Sequence, residues 1–233
     1  MINKQLLNSE KLLLLLQLCN SSLPLGAYSY SEGLETLVEQ KLISHYQHLK
    51  SWLLNELTYG SIRVESAMVM RAYDSYLTQN IDNLLYWNNW FSASRETFEL
   101  RQQSWQMGKS LLRLINSFEP EDSFLQTLIN NLKSSANYSI IFGIITAHWQ
   151  IEKENVLLGY LHNWVNNLVN VGVKLIPLGQ TDGQKLLLYF NQEICQQIPD
   201  ILSLKDDELS SCSWGLSLAS MSHEQLYSRL FRS

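Results

Sequence analysis

The chain is short of charge and cysteine, and each shortage removes a class of protein. Charged residues make up 17% of its 233 positions, with a formal net charge of −5 and no run of Lys or Arg. A nucleic-acid binder neutralises phosphates with clustered basic side chains, so that class is set aside. Cys19, Cys195 and Cys212 are odd in number and never stand as Cys-Xaa-Xaa-Cys. That argues against a disulfide framework or structural zinc site and fits a reducing compartment. No apolar run approaches the roughly 20 residues of a membrane span. Lys4, Leu12–Leu16 and Cys19 do not make a lipoprotein signal, because Glu10 and Lys11 abut the leucines and Leu18 stands where a small residue should precede the cysteine. A cytoplasmic chain with a buried helix over Leu12–Leu18 is the expectation, with neither membrane nor nucleic acid as partner.

What is present is apolar and periodic. Hydrophobic residues are 45% of the chain, enough for one core in a single domain spanning 1–233. Leu49, Trp52, Leu53 and Leu57 form a helical stripe that Gly60 ends, with Ser44 and Gln47 as a capping box. Val64, Met68, Ala72 and Tyr76 carry the next helix, and Leu84, Trp87 and Phe91 follow a break near Asn80-Ile81-Asp82. A long helix is expected from about Ser92 to Ser117, with Arg95 and Glu99 paired at i,i+4 and Phe98, Trp105, Gly108, Leu112 and Ile115 on one face. Gly108 inside a helix implies a close approach of a neighbour. After a break at Pro120-Glu121-Asp122, Phe124, Leu128 and Leu132 form a stripe. Tyr138–Trp149 is apolar on nearly every side and predicts a central helix, and Leu157, Leu161, Trp164, Leu168 and Val171 give another stripe. No alternating strand pattern stands out. The fold class is all-α, a helical bundle of roughly eight to ten helices with mobile N- and C-terminal segments.

Two irregular islands interrupt the helices. In Asn20–Glu35, Pro24 and Gly26 force a turn, Ser29 and Glu32 have capping-box spacing, and Leu23, Leu25, Tyr28 and Tyr30 give the corner an unusual apolar load. In Leu175–Leu186, Pro177, Gly179 and Gly183 punctuate the chain and Asp182 is placed to cap a helix from Gly183 to Ile194. This second island is no phosphate loop. Three residues separate its glycines, Gln184 parts Gly183 from Lys185, and Leu186 has no hydroxyl for a metal. Pro199 is expected to end the last long helix, followed by a polar, mobile connection over Asp200–Ser213. The tail from Met221 to Ser233, read as a helix, puts Leu226, Leu230 and Phe231 on one side and spaces Arg229 and Arg232 at i,i+3. Aromatic and arginine side chains in this density fit an interface anchor.

Candidate chemistries are each outweighed by plainer roles. His45 and His48 are one turn apart but lack further ligands nearby. His148 reads as a satisfied core histidine. His223, Glu224 and Cys212 form no closed metal spacing, and Ser29 has no nucleophile elbow around it. Arg229 and Arg232 could serve as an arginine finger on a GTPase, although carboxylate pairing is the commoner fate of such arginines.

Four stretches in order resemble signatures of the urease accessory protein UreF family. They are Leu23-Pro24-Leu25-Gly26-Ala27-Tyr28-Ser29-Tyr30-Ser31-Glu32-Gly33-Leu34-Glu35, the run Glu99–Gly108, Pro177-Leu178-Gly179-Gln180-Thr181-Asp182-Gly183-Gln184, and His223-Glu224-Gln225-Leu226-Tyr227-Ser228-Arg229-Leu230-Phe231-Arg232-Ser233. Ala27 stands where the family often has a second glycine, and Cys19-Asn20 replaces more usual small or acidic residues. The resemblance implies an all-α homodimer that is not an enzyme and needs no cofactor. It implies a scaffold in urease maturation that binds UreD (UreH), recruits the GTPase UreG and docks on apo-urease subunits while nickel is inserted. Residues 1–20 and 214–233 are expected to bind partners, with Leu23, Pro24, Leu25, Gly26, Tyr28, Ser29, Tyr30, Gly33 and Glu35 in the first motif. Pro177, Gly179, Gln180, Asp182, Gly183 and Gln184 of the third join them, with His223, Glu224, Tyr227, Arg229, Leu230, Phe231 and Arg232 of the tail. Regulation of UreG turnover through Arg229, Arg232 or Glu35, and direct nickel carriage, are the competing readings.

Overall fold

The computed structural model describes residues 2–118, 123–132, 135–223 and 229–232. Among them are eleven α-helices and no strand. In chain order these are α1 (Ile2–Leu18), α2 (Leu34–Glu39), α3 (Tyr46–Tyr59), α4 (Ser61–Leu77), α5 (Ile81–Ser94) and α6 (Phe98–Phe118). Then come α7 (Ser123–Leu132), α8 (Tyr138–His148), α9 (Lys153–Leu175), α10 (Gln180–Ser203) and α11 (Trp214–His223).

The centre is α8, in which every residue from Tyr138 to Ala147 is buried. A helix with no polar face has to be enclosed, and α4 and α6 pack against it. Both contacts are close. A Cβ on Gly143 would lie 2.3 Å from the Val69 carbonyl oxygen, and one on Gly108 would lie 2.0 Å from that of Ala136, in the segment leading into α8. The expected stripes are present: Leu49, Leu53 and Leu57 are sealed, as are Leu157, Leu161, Leu168 and Val171 on α9, with α10 packed alongside. Asn80 caps α5 by accepting the Asn83 N–H at 2.9 Å.

Several boundaries differ from expectation, some for local and some for tertiary reasons. Neither capping box forms. Gly33 is the residue before α2, and α3 begins after His45 with Ser44 Oγ turned toward His48 Nδ1 at 3.4 Å. The helix expected from Ser92 is broken: α5 stops at Ser94, Arg95 is extended, and α6 starts at Phe98. Arg95 does not meet Glu99; it turns inward to Glu65. Phe98 is exposed rather than on the buried face. Helix α10 starts at Gln180, so Asp182 lies in its first turn and pairs with Lys185 at 2.9 Å instead of capping. It also runs past Pro199 to Ser203, with Ile198 and Ile201 buried to offset the missing hydrogen bond. His148 is only half-buried, with Nδ1 2.7 Å from the Tyr76 hydroxyl. The break at residues 120–122 lies outside the described residues.

The connection from α10 to α11 is fastened along its length. Arg71 bonds Asp206 Oδ1 at 2.7 Å and the Leu204 carbonyl at 3.0 Å, and the Cys212 N–H donates to Tyr59 O at 2.8 Å. Ser213 Oγ accepts from Ser61 N and donates to Glu56. No helix among the described residues is long and apolar enough to cross a membrane.

Candidate partner-binding site

The corner after α1 sets the site. Gly26 takes φ +77°, which glycine adopts without steric cost, and the Ser29 hydroxyl donates back to its carbonyl at 2.7 Å. Gly33, at φ +78°, lies so near α11 that an added Cβ would sit 3.1 Å from Ala219 Cβ. The chain can therefore turn into α2 directly beneath α11, which sends Glu35 under the end of that helix. Leu25 and Tyr30 are buried, Leu23 is half-buried, and Pro24 and Tyr28 are exposed.

Glu35 is the fastening point. Its carboxylate accepts from Leu230 N at 2.7 Å and Phe231 N at 3.1 Å, and lies 3.2 Å from His223 Nε2. The other ring nitrogen of the fully buried His223 is 3.1 Å from Glu99 Oε2, and Arg229 reaches Glu99 Oε1 at 3.2 Å. Arg232 N donates to Ser29 O at 2.8 Å, and Lys174 Nζ stands 5.7 Å from the Phe231 ring centre. The first, second and last motifs thus meet in one seat for the tail. The tail is not the expected helix here: α11 ends at His223 and residues 229–232 are non-helical, so Phe231 is buried while its neighbour Leu230 is 76% exposed. Glu224, Leu226 and Tyr227 lie outside the described residues. Tyr30, Phe98, Gln102, Gln106, Arg229 and Arg232 border a cleft of about 360 Å³ beside the seat.

A layer of buried charge lies below. Glu32, at φ 51°, points its carboxylate inward, where it accepts from Trp164 Nε1 at 2.9 Å and Gln103 Nε2 at 3.1 Å. Burial first, and the Glu65 carboxylate next, push Glu32 up to about 7. Glu65 is held by Arg95 and by the Tyr160 hydroxyl at 3.0 Å. This layer and the seat's use of Glu99 are not legible in the sequence, because Glu32 and Glu99 also fit local helix roles. The signal available was their position inside the first two motifs.

The third motif forms the start of α10 instead of joining the seat. Pro177, Gly179, Gln180 and Gln184 are exposed, Asp182 is half-buried, and Gly183 packs against Val173, where a Cβ would meet Cγ2 at 3.0 Å. Gln180 lines the same groove as Leu23, Leu25 and Tyr28. Among the described residues no group of three His, Cys, Asp or Glu side chains is arranged to hold a metal ion.

The UreF family profile matches residues 43–191. A urease accessory protein UreF from Nostoc sp. is 55% identical over 227 residues, covering 97% of this chain and 98% of its own. That of Microcystis aeruginosa is 53% identical, covering 98% of this chain and all of its own, and that of Pseudoalteromonas translucida is 35% identical, covering 95% and 94%. The relatives' shared name designates an accessory protein of urease, not the hydrolase. The chain belongs to the UreF family of urease accessory proteins.

Proposed function

We propose that this chain is a non-catalytic scaffold in urease maturation, acting in the cytoplasm as a homodimer. It binds UreD (UreH), and that complex recruits the GTPase UreG and docks on apo-urease subunits while nickel enters the active site. The observation carrying this reading is the tail seat, in which Glu35, Glu99 and His223 join the first, second and last family motifs through structural bonds. A site built to position a surface suits a scaffold. Around it stand the exposed Tyr28, Phe98 and Leu230, apolar side chains of the kind that interface cores bury. Helix α1 is buried only along Leu15 and Leu18, not throughout Leu12–Leu18 as expected, and it adds the exposed Leu12, Leu13 and Leu16. On this reading α1, the Leu23–Tyr30 corner and the Arg229–Ser233 tail meet UreD. Pro177–Gln184 fixes their base or supplies dimer or UreG surface.

The test is co-purification with UreD and then UreG, followed by molar-mass determination. A stable complex that gains UreG is the expected result. Elution of the chain alone, together with tight stoichiometric nickel binding, would replace the scaffold by a carrier. Removing Arg229–Ser233 should leave helicity intact and abolish the complex. Regulation of UreG turnover is a separate reading; Glu35 and Arg229 are engaged in the seat, so Arg232→Ala is the variant that tests it.

A further inference from the structure

Helix α9 carries Asn163, Asn166, Asn167 and Asn170 at steps of three, one and three, so all four fall on one face. Asparagine is a poor residue for a helix interior, because its amide competes with the backbone for hydrogen bonds. The face borders a groove of about 280 Å³ whose opposite wall is Leu18 at the end of α1 and the corner after it, with Leu23, Leu25 and Tyr28. Only part of the amide capacity is used within the chain. Asn167 Nδ2 donates to Tyr30 O at 3.3 Å, Asn170 Nδ2 to Asn166 Oδ1 at 3.3 Å, and Asn163 Nδ2 reaches Tyr138 Oη at 3.5 Å. Lys174 is the single charged residue lining the groove.

We infer that this groove receives an extended, uncharged stretch of partner main chain. A side-chain amide offers one acceptor and two donors, matching the C=O and N–H of a peptide group, whichever way each presents. From Asn163 to Asn170 the helix rises about 10 Å, and an extended chain covers that distance in roughly three residues. Its alternate side chains, small or apolar, would rest on Leu18, Leu23 and Leu25. An acidic segment would find one cation, and a basic one no carboxylate. Main-chain bonding with pockets for alternate side chains is an established mode of peptide capture. The groove also adjoins the tail seat, since Lys174 lines it and stands over Phe231.

The inference rests on the scaffold reading, with UreD as the partner, and the experiment separates the two. UreD is titrated onto the full-length chain and onto the double variant Asn166→Asp, Asn170→Asp, which keeps side-chain size but removes two amide donors and adds charge. Loss of two such bonds weakens binding by about tenfold or more, while thermal unfolding stays near that of the unmodified chain. A photo-crosslinking phenylalanine derivative at position 170 should attach to one contiguous, non-helical UreD segment. If the unmodified chain fails to bind UreD, the scaffold reading falls and the groove's role with it. If UreD binds both chains equally, or the crosslink reaches only a second copy of this chain, the groove assignment alone is overturned.

Discussion

The carboxylate of Glu35 and the ring of His223 lie 3.2 Å apart although 188 positions separate them in the chain. Glu35 Oε2 also accepts the Phe231 N–H, so one side chain fastens both the end of α11 and the tail beyond it. With a carboxylate on each ring nitrogen, His223 couples α2 to α6 through α11.

Removing that carboxylate should release the tail before it harms the core. Glu35→Ala leaves two backbone N–H groups without acceptors and takes away the partner of one His223 ring nitrogen, a loss of about 1–3 kcal/mol for each group that stays buried. The tail can escape most of this by moving into water. Amide hydrogen exchange at Leu230 and Phe231 is therefore expected to speed up at least about tenfold, with α8 amides nearly unchanged. Unaltered exchange at both amides would show that Glu35 does not hold the tail.

Gly33 tests the same seat from below. Its φ of +78° disfavours any side chain, and an added Cβ meets Ala219 at 3.1 Å and Ser220 N at 3.2 Å. Gly33→Ala is expected to cost about 1–2 kcal/mol in backbone conformation and to push α11 away, loosening Thr97 Oγ1 from Ser220 Oγ, now 2.8 Å apart. Protection of α11 amides should fall. Full protection would mean the close approach is not needed.

Gly108→Ala is a core counterpart. A methyl group 2.0 Å from the Ala136 carbonyl oxygen forces α6 away from the segment leading into α8. Overpacking of this kind costs about 1–3 kcal/mol, occasionally more. The denaturation midpoint should drop with little change in slope, and an unchanged midpoint would contradict the contact.

Much of the architecture was legible because burial is periodic. The leucines of α3 and α9, the nearly all-apolar α8 and the breaks at Gly26, Gly60 and Asn80 are local signals, and the structure follows them. What local pattern could not reveal was competition from distant partners. Ser29 and Glu32 have capping-box spacing, yet Trp164 and Gln103 draw Glu32 inward from 132 and 71 positions away. Arg95 has Glu99 at helical spacing, yet Glu65 takes it and breaks the helix there. Glu99 is then available to His223. The seat was visible only as separate motifs, since nothing in Glu35 alone indicates that it accepts the tail's backbone.

The buried acids predict an unusual pH profile. Burial and Glu65 raise Glu32 from 4.5 to about 7; burial, with a smaller push from Glu96, raises Glu56 to about 7 against the bond from Ser213. Between these values the folded chain keeps protons that the unfolded chain has released, so stability falls as pH rises through the window and levels off above it. The urea midpoint should therefore be higher near pH 5 than near pH 8, so far as these two groups govern it. Comparison with Glu32→Gln, Glu56→Gln and the double variant isolates their share, because glutamine keeps an acceptor at each site and removes the titration. The double variant should lose most of the fall in midpoint, with each single variant between. A double variant with the same slope as the unmodified chain would place both carboxylates in ordinary solvent-like surroundings, and the charged layer beneath the tail seat would then have to be open to water.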